Sequence, residues 1–337
     1  MASHRTQVDG SNVFPLSLGL TVALLLALLL SVAIGPAGIG IPGVFGVFAN
    51  PTAEATILFE IRLPRALIGM LVGASLGIAG AGMQGLLRNP LAEPGVIGVS
   101  GCAGLGAVLV FYSGITNQFA LGLPFGGMLG ALVAVWLLYR LSGRSSSTLS
   151  LVLAGVAINA FAGALTALVL NLSSNPFAAY EIVFWLMGSF ADRSLQHVSI
   201  CIVPIVLGWI LLTRSGKGLN ALSLGEDTAV SMGINLPQLR LAVILGTALC
   251  VGAAVSVSGM IGFIGLVVPH LLRPWVGYEP GRLLLPSALG GATLALLADI
   301  AVRTIPTPIE LKIGVLTALI GAPFFLSLLR SMRRELV

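Results

Sequence analysis

Apolar runs of about twenty residues recur from one end of this 337-residue chain to the other, with no extended polar block between them. A helix needs about twenty apolar residues to cross the roughly 30 Å of hydrocarbon in a bilayer. Charged residues make up only 9% of the chain, against about 25% in soluble globular proteins. We therefore predict an all-α integral membrane protein that forms one transmembrane domain over residues 1–337.

Glycine, proline and charged residues divide the apolar sequence into ten predicted spanning helices. The first run exceeds a usual signal-peptide core and no A-x-A site follows it, which favours an uncleaved helix. The eighth run is short and glycine-rich and ends at Pro269, which predicts a broken or tilted crossing whose backbone must be satisfied by neighbouring protein. The predicted spans are 16–35, 64–86, 94–112, 121–139, 148–170, 195–213, 240–258, 260–272, 283–300 and 309–329.

The positive net charge of +5 follows the expected membrane topology. With the N-terminus in the cytoplasm, twelve of the 17 basic residues fall on the cytoplasmic side and five on the outer side. Short cytoplasmic loops collect Lys and Arg, so both termini are predicted to be cytoplasmic. Only two basic residues are lysines and no aromatic-basic patch occurs, which argues against nucleic acid as a partner.

The longest polar stretch, residues 214–240, is predicted to lie on the cytoplasmic side. Ser223 followed by Glu226 resembles a capping box and Gly233 a left-handed C-cap, so a helix of about nine residues is expected. Asn235 begins a second helix. Two short helices at a turn would form a compact knob suited to docking a cytoplasmic partner, and an unstructured loop is the alternative.

Three arginines, Arg62, Arg65 and Arg303, are predicted at the outer ends of the second and ninth spans. Arginines on the outer face oppose the positive-inside bias and require a separate explanation. One explanation is contact with the phosphate groups of lipids. The other explanation is docking of an external protein, because a guanidinium pairs bidentately with a carboxylate.

Sequence motifs for catalysis or cofactor binding are not found. Gly216-Lys217 does not belong to a phosphate loop, since Leu211 replaces the first glycine and Gly218 the Ser or Thr. We therefore expect no enzyme activity and no cofactor or metal bound by this chain. An ion-coupled secondary transporter would need inverted repeats and mid-membrane carboxylates, but Asp299 lies near the outer end of its predicted span. Three distant cysteines in apolar runs indicate neither disulfides nor a metal cluster: Cys102, Cys201 and Cys250.

Seven segments together resemble the FecCD family, the permeases of type II ABC importers for iron-siderophores, haem and cobalamin. They span nearly the whole chain in order: RLPRALIGMLVGASLGIAGAGMQGLLRNPLAEPGVIGVSGCAG (62–104), LVLAGVAIN (151–159), FWLMGSF (184–190), LSLGEDTAVSMGI (222–234), GMIGFIGLVVPHLLR (259–273), RLLLPSALGGATLALLADIAVR (282–303) and IGVLTALIGAPFFLSLL (313–329).

The resemblance implies ten helices per subunit in the bacterial inner membrane and a homodimer around a central pathway. It also implies two cytoplasmic ATPase subunits that use ATP and Mg, and a periplasmic substrate-binding protein. Transport would proceed by alternating access, with hydrolysis in the partner shifting the permease between states.

The resemblance also implies site residues by matching positions. Outer-face docking matches Arg62, Arg65 and Arg303. The ATPase-coupling helices match Gly225, Glu226, Asp227, Thr228, Ala229, Met232 and Gly233. The cytoplasmic gate, beside a fifth helix that lines the pathway, matches Asn89, Pro90, Leu91, Ser147, Thr148 and Leu149.

Cargo identity is weakly indicated. Arg193 and His197 lie one turn apart at the outer entrance of the sixth predicted helix and could meet haem propionates or iron, although a simple helix-end histidine is the alternative. This pair favours haem weakly over an iron-siderophore or cobalamin. The segment Ile309-Glu310-Leu311-Lys312 departs from the family pattern at Lys312.

Overall fold

The computed structural model describes residues 13–35, 53–115, 119, 121–142, 148–173, 175–307 and 310–335. This part of the chain is helical and holds no strand. Its α-helices of six residues or more are α1 (Val13–Ala33), α2 (Leu63–Leu86), α3 (Val99–Tyr112), α4 (Gly122–Ser142), α5 (Thr148–Asn171), α6 (Pro176–Leu186), α7 (Leu195–Arg214), α8 (Gly216–Ser223), α9 (Glu226–Ser231), α10 (Leu236–Ser258), α11 (Ile264–Leu272), α12 (Pro280–Thr304) and α13 (Ile313–Glu335).

Ten of these helices lie at the ten predicted spans. Seven are long and apolar enough to cross a membrane, and three shorter apolar helices begin at Val99, Ile264 and Ile313. Each predicted span overlaps one helix, with boundaries that differ by a few residues. The prediction of an all-α protein with about ten spanning helices is therefore confirmed.

Helix α2 lies at the centre of the bundle and is buried along nearly its whole length. Its small residues touch the backbones of neighbouring helices. A Cβ atom on Gly77 would lie 2.0 Å from the carbonyl oxygen of Ser287 in α12, and one on Gly80 would lie 1.9 Å from that of Gly265 in α11. Helices in lipid gain little from apolar burial and depend on such close approach, so the glycine stripe of α2 serves packing.

The eighth predicted span begins with non-helical residues. Helix α10, at the seventh predicted span, ends at Ser258, and α11, at the eighth, starts only at Ile264. We call residues 259–263 between the two helices the break. Gly259 has φ +73° and a Cβ there would lie 2.1 Å from the carbonyl oxygen of Trp185, so only glycine fits. The backbone of the break is paired outside its own helices: Met260 N–H donates to Leu186 at 3.3 Å and Ser189 N–H donates to Ser258 at 2.8 Å.

Helix α6 was not predicted, and its segment was expected to be a connection. Asn175 caps it, accepting a hydrogen bond from Phe177 N–H at 3.0 Å, and Pro176 occupies the first helical position. Both are ordinary start signals. With eleven residues, α6 is too short to span a bilayer, so a search for twenty-residue runs misses it.

Two ends of the bundle can be distinguished. One end carries α8, α9 and the first turns of α10 and α12. There, Asn220 Oδ1 accepts a hydrogen bond from Gly281 N–H at 2.6 Å. The opposite end carries the last turns of α1 and α12 and the first turn of α2. We call the first the coupling end and the second the arginine end.

Candidate functional site

The coupling end carries a compact knob formed by α8 and α9. Gly225 lies between the two helices with φ +117°, and Glu226 pairs with Arg240 of α10 at 2.9 Å. Ala229 is buried against the bundle and holds the knob in place. Three apolar side chains nevertheless point outward from this polar segment: Leu224, Val230 and Met232 are 66%, 56% and 58% exposed. We call these three residues the coupling surface.

The knob is built differently from the sequence prediction. Ser223 is the last residue of α8 and its hydroxyl donates to the carbonyl of Asn220 at 2.7 Å, so the predicted capping box with Glu226 is wrong. Gly225 caps α9 instead, and α9 has six residues rather than about nine. Gly233, with φ +84°, ends it as predicted, and Asn235 caps α10 by accepting Gln238 N–H at 3.1 Å.

The coupling residues named by resemblance all lie on or beside α9. Asp227, Thr228, Met232 and Gly233 are exposed, Gly225 and Glu226 are half-buried, and Ala229 faces the bundle. Sequence reasoning missed Leu224 and Val230. The available signal was an apolar residue in an otherwise polar loop outside the spanning runs.

The arginine end holds a cluster of five charged side chains, which we call the arginine cluster. The Arg65 guanidinium binds both oxygens of Asp299, with Nε at 3.0 Å from Oδ1 and 3.2 Å from Oδ2. It also pairs with Glu310. Arg303 pairs with Asp299 at 3.0 Å, four residues earlier in α12. The cluster comprises Arg62, Arg65, Asp299, Arg303 and Glu310.

Two arginines of the cluster also bind the last carbonyls of α1. Arg62 donates to Val32 at 3.0 Å and to Ala33 at 2.8 Å. Arg303 donates to Ile34 at 2.9 Å. The last carbonyls of a helix have no partner within it and carry partial negative charge, so the two guanidiniums fasten the end of α1 to α2 and α12.

The membrane topology suggested that these arginines would be free on the outer face, but in the structure they are bound within the chain. Arg62 is buried, and the side chains of Arg65 and Arg303 are 12% and 6% exposed. Each of the three arginines donates hydrogen bonds within the chain. Docking of an external protein stays a prediction.

The structure describes five of the six predicted gate residues. Asn89 Oδ1 accepts a hydrogen bond from Leu91 N–H at 2.9 Å, which closes a turn containing Pro90. Thr148 begins α5 and Leu149 is exposed, whereas Ser147 lies outside the described residues. The gate assignment stays a prediction.

A polar cavity of about 490 Å³ lies just beyond the gate turn. Glu93, Ser100 and Asn159 line it, together with the break at Met260 and Gly262. Glu93 accepts a hydrogen bond from Phe263 N–H at 2.8 Å. Burial raises the pKa of its carboxyl group, and this hydrogen bond offsets only part of the rise. Sequence reasoning missed Glu93, which precedes the predicted third span by one residue.

The cavity continues into an apolar surface. Met260 also borders a second hollow of about 650 Å³ formed with α6 and α13. Half of the residues of α5 are exposed, and only Leu151, Gly155, Ile158 and Ala162 of this helix are buried. Helix α5, the break and α13 therefore form one continuous face that the described residues leave uncovered. We call it the pathway face.

Arg193 and His197 both have local partners. Arg193 Nε donates to the carbonyl of Val257. The Nδ1 atom of His197 lies 3.3 Å from the Ser194 backbone nitrogen and 3.0 Å from its hydroxyl, at the start of α7. This geometry fits the helix-end alternative, and cargo contact by the pair stays a prediction.

Comparison with known proteins agrees with this architecture. Residues 23–331 match the FecCD transport family. The vitamin B12 import system permease protein BtuC of Shigella boydii serotype 18 is 41% identical over 320 residues, which cover 94% of each chain. The hemin transport system permease protein HmuU of Yersinia pestis is 38% identical over 324 residues, covering 94% of this chain and 97% of HmuU.

A third relative and a solved structure extend the comparison. The uncharacterised ABC transporter permease protein YvrB of Bacillus subtilis strain 168 is 39% identical over 326 residues, covering 92% of each chain. The solved structure, described as a metal-chelate type ABC transporter in an inward-facing conformation, superposes with a TM-score of 0.85 at 35% identity and covers 94% of this chain. The type II importer permease fold is thus confirmed, and the chain belongs to the FecCD transport family.

Proposed function

We propose that this chain is the membrane-spanning permease subunit of an ATP-driven importer in the bacterial inner membrane. It moves a large chelate or tetrapyrrole, of the class that includes iron-siderophores, haem and cobalamin, from the periplasm to the cytoplasm. The observation that carries this proposal is the coupling surface, an exposed apolar patch on a knob at one end of a bundle of spanning helices.

The coupling surface has the chemistry of a protein contact. Leu224, Val230 and Met232 lie on a polar segment that is anchored by the Glu226–Arg240 ion pair and by buried Ala229. A rigid projection with an apolar tip can enter a groove of a partner and transmit its movement to α8 and α10. Two cytoplasmic ATPase subunits, which bind ATP and Mg, are the proposed partners.

The pathway face supports a homodimer. Helices α5 and α13 expose large apolar side chains along their length, including Leu153, Phe161, Leu319 and Leu326. A second copy that covers part of this face would enclose a route for cargo between the two chains. The polar cavity at Glu93, Ser100 and Asn159 would then lie on that route, next to the proposed gate residues Asn89–Leu91 and Thr148–Leu149.

The arginine end is the proposed outer end, in line with cytoplasmic termini. Of the described basic residues, Arg62, Arg65, Arg193, Arg303 and Lys312 lie there, and more lie at the coupling end. A periplasmic binding protein that presents carboxylates to the arginine cluster would be placed over the pathway.

The relatives named for hemin and vitamin B12 support the proposed class of cargo. Because Arg193 and His197 both have partners within the chain, we propose no single cargo from that class.

Reconstitution in liposomes tests this function. We expect ATP-driven uptake of hemin or cyanocobalamin when the permease is combined with its ATPase and its binding protein. Uptake should stop without the ATPase and with an ATPase variant that binds but does not hydrolyse ATP. Uptake by the permease alone, driven by a proton or sodium gradient, would instead establish the secondary-transporter alternative.

A further inference from the structure

We propose that Glu310 is an internal competitor for the external docking partner: it occupies Arg65 in the free permease and yields this arginine to a carboxylate of the binding protein. The inference rests on the proposed docking function of the arginine end. It identifies which ion pair exchanges and which ion pair stays.

Arg65 binds two carboxylates that differ in their exposure to solvent. Asp299 is 0% exposed and is bound from two sides, by Arg65 and by Arg303 at 3.0 Å. Glu310 is 36% exposed and Arg65 is its one ionic partner among the described residues. Removing a partner from a buried charge is far more destabilising than removing one from an exposed ion pair. Asp299 is therefore the fixed partner and Glu310 the exchangeable one.

The position of Glu310 in the chain supports the same distinction. Asp299 is within α12, whereas Glu310 is in the connection between α12 and α13, outside both helices. A change in the side chain of Glu310 leaves the helix-helix contacts of Asp299 intact. Lys312, two residues on, lies over the ring of Phe184 at 5.7 Å from its centroid.

The charges of the cluster favour exchange with an acidic partner. Three guanidiniums face two carboxylates, and Arg62 and Arg303 also donate hydrogen bonds to carbonyls at the end of α1. When Glu310 leaves, one N–H of the Arg65 terminal nitrogen Nη2 becomes available, because Nη2 still donates to Asp299 Oδ1 at 2.8 Å and Nε also remains on Asp299. A single external carboxylate thus restores the original charge balance, which makes an acidic protein surface the fitting partner.

Substitution of Glu310 tests whether this residue competes with the binding protein for Arg65 or only stabilises the arginine cluster. In nanodiscs that hold the complete transporter, Glu310→Gln should associate with the binding protein about two- to fivefold faster than the parent at low salt, given the strength of exposed ion pairs. The gain should shrink as salt rises, because screening weakens the attraction. Glu60→Gln is the matched control: Glu60 is an exposed acid at the same end, just before α2, and has no ion pair among the described residues.

Each result decides the inference. A faster Glu310→Gln beside a Glu60→Gln variant that matches the parent supports it. Equal gains in both variants would assign the effect to net charge and overturn it, as would a Glu310→Gln variant that associates no faster than the parent. If neither parent nor variant associates with the binding protein, the docking proposal itself fails. Unchanged thermal unfolding of Glu310→Gln checks that its fold is retained.

Discussion

The carboxylate of Glu93 binds the backbone N–H of Phe263 at 2.8 Å, across 170 positions of sequence. Phe263 has φ +68° and is the last residue of the break, directly before α11. Glu93 follows the proposed gate turn by two residues. This hydrogen bond therefore joins the gate segment to the break on the pathway face.

Glu93→Ala should destabilise the protein by about 1–3 kcal/mol, because a half-buried N–H loses its acceptor. Glu93→Gln keeps an acceptor oxygen and should recover most of this loss. Thermal unfolding in nanodiscs measures both. Exposed Glu181 of α6 provides the control, since Glu181→Ala removes a glutamate whose side chain has no partner among the described residues. Equal destabilisation by the Ala and Gln variants would show that the charge, and not the hydrogen bond, matters.

Gly77→Ala should disrupt the central packing of the bundle. The new Cβ would lie 2.0 Å from a backbone oxygen of α12 that cannot move alone, and overpacking costs typically about 1–3 kcal/mol. Gly19→Ala in α1 is the matched substitution, because no atom lies within 4 Å of its new Cβ. It should be neutral or stabilising by up to about 1 kcal/mol. Equal thermal stability of the two variants would contradict this account of α2.

Met232→Lys should weaken ATPase binding about tenfold or more, because a charge would enter the apolar contact proposed for the coupling surface. Gln238→Lys places the same charge on the exposed first turn of α10, outside this surface, and should leave binding near that of the parent. Co-purification and titration of the ATPase onto nanodisc-embedded permease measure the difference. If both variants bind the ATPase like the parent, the coupling surface is wrongly placed.

His197→Ala should cost about 1 kcal/mol of stability through loss of a helix-start contact, while uptake per folded transporter stays unchanged. His197→Gln should restore stability, since glutamine at the third helical position can also reach back to the cap. Unfolding curves and uptake assays on the same preparations test this. Loss of uptake without loss of stability would instead assign His197 to cargo contact.

Some local elements were predictable from neighbouring residues alone. Asn235 caps α10 and Gly233 ends α9, as expected from side chains and backbone within one turn. The capping box at Ser223 failed for a tertiary reason. Residues from Gly216 onward continue as α8, which packs against the first turn of α12 through Asn220 and Gly281, so Ser223 ends a helix rather than starting one.

The candidate sites were only partly predictable. Arg65, Asp299 and Arg303 were each notable in the sequence, but Arg65 and Asp299 are 234 positions apart and nothing local indicates their pairing. The expectation of free arginines came from topology, which assigns an end of the bundle but no partner. Glu93 was missed because it lies in a connection, although the fold places it beside the break.

The sequence by itself determined the class of protein, the number and order of its crossings and its family, because a bilayer demands about twenty apolar residues per helix and leaves few other solutions. The tertiary structure decided which faces of these helices meet and which polar groups pair. In uniformly apolar helices no hydrophobic face distinguishes inside from outside, so close backbone contacts such as Gly77 with Ser287, and ion pairs such as Arg65 with Asp299, set the arrangement.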